Sequence, residues 1–325
     1  MGPATVPSGA DFQRMRRLGV TSSRLHLYWG AIEYFAGLGF RNWTSFDRLV
    51  ADAARAGIRV VPLLYGVPPF IAKNPSTPPL RSESERAKWR KFVFDAVRRY
   101  GPGGEFWAQN PELPRLPVTA WQVWNEPNLP VFFGGNVDVS KYRDLLRLTA
   151  VAIRAADQGA TVITAGIFHH YTGSGSLSMR AFMVRFYRLA GVKQWFDVLA
   201  LHPYARRPRG VVRAVRRGRR IMRRAKDRKT PVWVTEIGWT TGGAGWEKNA
   251  FRATGRQQAK WLRRTYWLFR VKRRLRVERV FWHTYQDLHY PDKPDPWMAR
   301  MGLLDRHGKR KPSWYAYAKA AGGRS

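Results

Sequence analysis

Cysteine is absent from the 325 residues, which excludes disulfides and thiolate-bound metals and leaves the compartment open. No apolar run approaches the ~20 residues of a membrane span. The opening stretch MGPATVPSGADF carries no apolar signal segment. Acidic residues are scarce, with 22 Asp and Glu against 58 Lys and Arg, so the formal net charge is +36. Polyanions should therefore adhere at low salt, although no nucleic-acid motif accompanies the charge and specific nucleic-acid binding is not expected. Internal repeats, linkers and low-complexity tracts are also missing, which favours one domain over residues 1–325, a length that α/β barrels commonly occupy.

Large apolar side chains are plentiful. Hydrophobic residues make up 44% of the chain and aromatics 14%, with 15 Trp, a composition suited to a sizeable core. Strand-like runs fall at Ser22 to Tyr28, Arg59 to Tyr65, Thr119 to Trp124, Thr161 to Ala165, Asp197 to Leu201, Pro231 to Thr235 and Arg279 to Tyr285. Helical patterns separate them at Ser45 to Ala56, Ser84 to Tyr100, Ser140 to Asp157, Met179 to Ala190, Val211 to Ala225 and Thr254 to Lys272, with a last helix after Pro312. Such alternation predicts βαβ units and a parallel sheet. Helices end in a Gly just before the next strand, as in ARAGIRVVPLL, whereas loops after strands are longer and rich in Pro, Gly and aromatics, as in NEPNLPVFFGGN. That asymmetry fits a (β/α)8 barrel with its working face at the C-terminal strand ends. A doubly wound sheet is the alternative, but GLGF at Gly37 to Phe40 lacks the required glycine spacing.

Two glutamates end two of these strands. Glu126 closes WQVWNEP and Glu236 closes VWVTE. A single Glu at a strand end is often a local cap or ion-pair residue. Two of them at equivalent ends, each in an aromatic-rich setting, match the requirement of glycosidic cleavage for one protonated and one ionised carboxyl flanking the bond. Asn125, beside Glu126, offers an uncharged amide for a sugar hydroxyl.

WNEPN followed downstream by TEIGW resembles clan A of the glycoside hydrolases, most closely family 39 and its actinobacterial relatives. RLHLYWGAIE, FDRLVADAARAGIRVVPLLYGVP, FDVLALHPYA and KPSWYAY support the resemblance along most of the chain. It implies a retaining hydrolase of O-glycosyl bonds acting on a carbohydrate substrate without a cofactor. Glu126 is then the general acid and base, and Glu236 the nucleophile. The resemblance further implies that Asn125 binds the sugar 2-hydroxyl, that Arg24 lies beneath the nucleophile and keeps it ionised, that His202 and Tyr204 line the same subsite, and that a sugar stacks on Trp282. Trp29, Trp239 and Trp246 stand near strand ends and could be platforms or core. His169 and His170 are adjacent, should face apart, and lack an acidic partner nearby, so no metal site is expected.

In clan A the acid follows strand four and the nucleophile strand seven. Here Glu126 follows the third predicted strand and Glu236 the sixth. The expectation is a barrel lacking its first strand, with Asp11 to Leu18 as the first barrel helix and two unpaired edges. A longer product including that strand is expected from a start upstream. It would be secreted if a signal peptide precedes it and cytoplasmic otherwise. Catalytic silence, with the barrel retained for binding glycans or polyanions, is the competing function. Finally, ARRPRGVVRAVRRGRRIMRRAKDRK places Val211, Ala214, Val215, Gly218, Ile221, Met222 and Ala225 on one apolar stripe. Its arginines occupy the other face, either as a solvated barrel surface or as an anchor for an anionic polymer.

Overall fold

A computed structural model describes residues 6–35, 41–245, 250–290 and 294–324. GLGF and Trp246 lie outside the described residues. The elements run in the order α1 (Gly9–Arg17), β1 (Ser22–Tyr28), α2 (Trp29–Ile32), α3 (Thr44–Arg55), β2 (Arg59–Tyr65), α4 (Glu83–Tyr100), α5 (Glu105–Gln109) and β3 (Ala120–Val123). They continue with α6 (Val139–Ala156), β4 (Thr161–Ile163), β5 (Ile167–Phe168), α7 (Met179–Arg188), β6 (Leu199–His202), α8 (Pro208–Arg224), β7 (Val232–Ile237), α9 (Gly255–Val271), β8 (Val277–Trp282) and α10 (Pro312–Ala321).

Local chemistry sets most boundaries. Ser8 and Asp11 form a reciprocal capping box at the start of α1, as do Thr254 and Gln257 at α9. Ser82, Asp138 and Ser178 cap α4, α6 and α7 through side-chain oxygens that accept backbone N–H groups. α8 begins at Pro208, three residues before the sequence pattern suggests, because proline suits a first helical turn and needs no N–H partner there. Gly19 and Gly57 close α1 and α3 with φ of 86° and 68°, the left-handed turn that a Cβ would oppose.

All ladders are parallel. One sheet has the order β1-β2-β3-β4 and the other β5-β6-β7-β8. A bridge from Ile163 to Val198 joins them, and β4 and β5 are one strand interrupted at residues 164–166. The ring of strands is not closed. Among the described residues no ladder connects β8 to β1, and those two strands are less buried than β2, β6 and β7. Side chains cross this seam instead: Arg279 Nη1 donates to Ser22 Oγ at 2.6 Å, and the Tyr285 hydroxyl donates to Asp11 at 3.0 Å.

Successive side chains of a strand point to opposite faces, and in β2, β6 and β7 nearly all of them are buried on both. Val61, Ile163, Val198, Ala200 and Trp233 form a small apolar cluster inside the ring, with Ala120 and Phe281 against it. Two residues onward on the same strand faces stand Gln122, His202 and Thr235, all buried and polar. The larger core lies between strands and helices and contains fully buried Trp29, Trp89, Trp121, Trp124 and Trp239. Trp29 and Trp239 are therefore core residues. On α8 the predicted stripe is buried from Val211 to Met222, with Ala225 half-buried. Arg219 joins that face, its guanidinium donating to the carbonyls of Thr230 and Arg228.

Candidate active site

The polar layer opens at the C-terminal ends of β3, β6 and β7. Strict alternation along β7 would send Thr235 and Glu236 to opposite faces. A register shift against β8 between Val234 and Ile237 adds one residue, and both side chains then turn inward. On β3 the same result comes from left-handed backbone at Trp124 (φ 71°) and Glu126 (φ 38°). Such conformations cost on the order of 1–3 kcal/mol each for residues with a Cβ. They are held by Trp124 N donating to the Leu64 carbonyl, the Trp124 indole donating to the Phe132 carbonyl, and Glu126 N donating to the Gly166 carbonyl.

Arg24, on β1, organises the site. Its Nη1 pairs with Glu236 Oε1 at 2.8 Å, its Nη2 donates to Asn125 Oδ1 at 2.8 Å, and its Nε donates to Gln122 Oε1 at 2.5 Å. A guanidinium has donors only, so both amides must turn their oxygens toward it. Asn125 consequently presents its NH2 away from Arg24, and no protein acceptor meets that group among the described residues. Gln122 directs its own NH2 to the Thr164 carbonyl at 3.1 Å and to Thr235 Oγ1 at 3.2 Å. When Glu126 is ionised it can only accept, so His202 Nδ1 donates to its Oε1 at 2.6 Å, and in the neutral imidazole Nε2 is then left to accept from the Thr235 hydroxyl at 3.0 Å. Bond polarity runs from Arg24 through Gln122, Thr235 and His202 to Glu126.

The two carboxyls occupy opposite electrostatic settings. Burial raises the pKa of Glu126 above the ordinary carboxylate range, more than His202 beside it lowers it. Burial would also raise Glu236. The fields of His202, His283, Arg24 and His26 outweigh it and hold that carboxyl well below the usual range. The Tyr204 hydroxyl donates to Glu236 Oε2 at 3.1 Å, and burial together with both glutamates keeps this phenol protonated. One carboxylate oxygen from each glutamate and a nitrogen of His202 all lie within 4.8 Å of one another. Those three groups have the chemistry of metal ligands, but Glu236 is already engaged by a guanidinium and Glu126 by His202.

The structure thus brings together Arg24, Asn125, Glu126, His202, Tyr204 and Glu236. Trp282, at the end of β8, is half-buried, its indole donating to the Met301 carbonyl at 3.1 Å and its ring 6.0 Å from Trp239. The rings of His169 and His170 do not face apart. They pack edge to face at 4.7 Å, and His170 Nε2 meets the Tyr204 carbonyl at 2.8 Å. Sequence reasoning missed Gln122, Thr235 and His283, whose Nδ1 lies 3.9 Å from Glu236 Oε2. A lone Gln inside the apolar run WQVW was the available signal for the first.

Gly166 was missed as well. A Cβ there would lie 1.9 Å from His202 Nε2, so the imidazole fills the space that a side chain would take. Gly166→Ala is expected to push His202 off both Thr235 and Glu126, which would move the His202 imidazole signals in NMR spectra of the variant; unmoved signals would show that the ring has room to stay.

Parallel strands with two carboxyls converging at their C-terminal ends define an α/β protein with a dicarboxylate site. The chain belongs to the glycosyl hydrolase catalytic core family, whose model matches residues 106–317. No curated protein sequence matches it. Among solved structures it is similar to a family 39 glycoside hydrolase from Bacteroides cellulosilyticus WH2, with 23% identity and a TM-score of 0.73 over 99% of this chain and 62% of that one. A monomeric beta-xylosidase from Caulobacter crescentus CB15 matches with 23% identity and a TM-score of 0.70 over 95% and 63% of the two chains. A GH39 enzyme from Xanthomonas axonopodis pv. citri matches with 21% identity and a TM-score of 0.71 over 98% and 63%. The chain spans about three-fifths of the length of these structures.

Proposed function

We propose that this protein is a retaining glycoside hydrolase built on an open form of the (β/α)8 barrel, in one domain over residues 1–325. The observation that carries the reading is the pair Glu126 and Glu236, with oxygens within 4.8 Å and pKa values displaced in opposite directions. Retaining enzymes hold their carboxyls ~5 Å apart, whereas inverting enzymes leave room between them for a water. Glu236, ionised, attacks the anomeric carbon while the bond from that carbon to the leaving oxygen breaks, and Glu126 gives its proton to that oxygen. A covalent glycosyl ester on Glu236 results. Glu126, now a carboxylate, takes a proton from water, whose oxygen attacks the same carbon and frees Glu236. Tyr204 and Arg24 orient the nucleophile, and the NH2 of Asn125 is placed to donate to a sugar hydroxyl. Trp282 offers a ring face to the sugar.

The pH dependence follows from the two displacements. Activity requires Glu236 ionised, so it rises as pH passes the lowered pKa of that group. It requires Glu126 protonated, so it falls as pH passes the raised one. The expected kcat/KM profile is a bell whose acid limb lies below, and alkaline limb above, the ordinary carboxylate value of about 4.3. An alkaline limb at or below that value would contradict the assignment of Glu126.

The decisive experiment is covalent trapping. Several similar structures are of glycosidases, including a beta-xylosidase, so an activated 2-deoxy-2-fluoro-xyloside is the first probe and the corresponding glucoside the second. Mass spectrometry should find one added glycosyl group, mapped to the peptide bearing Glu236. Hydrolysis of the matching aryl glycosides with inversion at the anomeric carbon would overturn the retaining assignment.

A further inference from the structure

A second surface feature lies apart from the carboxyl pair, neither of whose glutamates lines it. It is a groove of about 1750 Å³ between α8, α9 and α10. Among the described residues eleven Arg and Lys side chains line it, and no Asp or Glu does. Among the described residues none of these eleven is ion-paired with a carboxylate. A protein of high positive charge ordinarily spreads its cations to limit repulsion, so their convergence from three helices calls for an anionic occupant.

The spacing describes that occupant. Arg213 and Arg217 are one turn apart on α8, as are Arg256 and Lys260 on α9, and the α9 side of the groove continues to Arg270. Fourteen helical steps from Arg256 to Arg270 span ~21 Å, the length of a polymer segment rather than of a single anion. Two exposed rings interrupt the charge. Trp267, 47% exposed, lies under the Arg264 guanidinium at 4.0 Å from the ring centroid, and Tyr315 on α10 is 50% exposed. Flat aromatic faces flanked by guanidinium groups suit pyranose rings that carry carboxylate or sulfate groups. One end of the groove is formed by Ala205, Arg206 and Arg207, which directly follow Tyr204, the residue bonded to Glu236.

We propose that this groove binds a linear acidic polysaccharide and holds it beside the mouth of the catalytic site. The choice of a glycan over another polyanion rests on the glycosidase reading above. Binding is measured independently of catalysis.

The test uses the full chain carrying Glu236→Gln and an end-labelled oligogalacturonate of about eight sugars, with binding followed by fluorescence anisotropy at about 0.15 M salt, where long-range attraction is screened. Arg213→Glu, Arg217→Glu and Arg264→Glu are combined in one variant. A control combines Arg48→Glu, Arg98→Glu and Arg147→Glu, three exposed arginines on α3, α4 and α6 with the same change in net charge. Circular dichroism melting confirms that both remain folded. The groove variant is expected to bind at least tenfold more weakly, and the control within twofold of the parent. Equal weakening of both variants would reduce the groove to general electrostatics and overturn the proposal. So would a single-stranded oligonucleotide of equal charge that binds the parent as tightly as the glycan and is lost in the same variant. Groove-specific glycan binding without covalent trapping at Glu236 would sink the catalytic mechanism alone, while trapping without groove-specific binding would sink only this inference.

Discussion

Glu236→Gln is expected to lower kcat on an aryl glycoside by at least about 10³-fold, because the amide keeps the shape of the side chain and removes the nucleophile. Two effects must be separated. Arg24 pairs with Glu236 at 2.8 Å in a largely buried setting, so the substitution also leaves a guanidinium without its counter-charge. Breaking a buried pair completely costs about 3–5 kcal/mol. Here the amide oxygen still accepts from Nη1, so the loss should be smaller, about 1–3 kcal/mol. Denaturant unfolding would measure that term, and activity would be assayed well below the transition. A folded variant within tenfold of the parent rate would remove Glu236 from the mechanism.

Glu126→Ala should behave differently, and the difference is its test. Glycosylation with a dinitrophenolate leaving group needs no proton, whereas deglycosylation still needs a base to take one from water. For such a substrate the expected result is a pre-steady-state burst, a fall in KM as the glycosyl ester accumulates, and a kcat reduced by about 10²–10⁴-fold. Azide, which attacks without losing a proton, should raise that kcat again. Glycosides with poor leaving groups should lose kcat/KM by a similar factor, because the first step now lacks its acid. A loss independent of the leaving group, without a burst, would place Glu126 outside proton transfer.

Much of this arrangement was legible in the residues alone. Seven parallel strands separated by helices followed from alternating apolar runs and Gly stops. Glu126 and Glu236 followed from where those runs ended. Arg24, Asn125, His202 and Tyr204, named through the family resemblance, lie around the two carboxyls. What was not legible depends on which face a residue takes. A Thr beside a Glu on one strand should point the opposite way, and only the irregularity in β7 turns both inward. Gln122 is chemically ordinary until Arg24 meets it from a strand nearly a hundred residues distant. Thr161 to Ala165 promised one unbroken strand, but at 164–166 the regular ladder gives way to single bonds, the Thr164 carbonyl accepting from the Gln122 side chain and the Gly166 carbonyl from Glu126 N. The stripe on α8 was evident, whereas its arginines faced solvent on paper because the other wall of the groove comes from α9 and α10.

The seam between β1 and β8 has a consequence for hydrogen exchange and for charge. Among the described residues β1 is paired on one side, to β2, so its outer edge, like that of β8, is less protected against local opening than the strands inside the ring. Arg24 rides on that strand, while Glu236 rides on β7, which is paired on both sides. Each fluctuation that lifts β1 from the ring therefore withdraws a cation from Glu236 and, through Gln122, loosens the contacts that reach His202. Slow amide exchange in β1 and firm ionisation of Glu236 are two readouts of a single equilibrium. A ligand that rests across the seam would steady both at once.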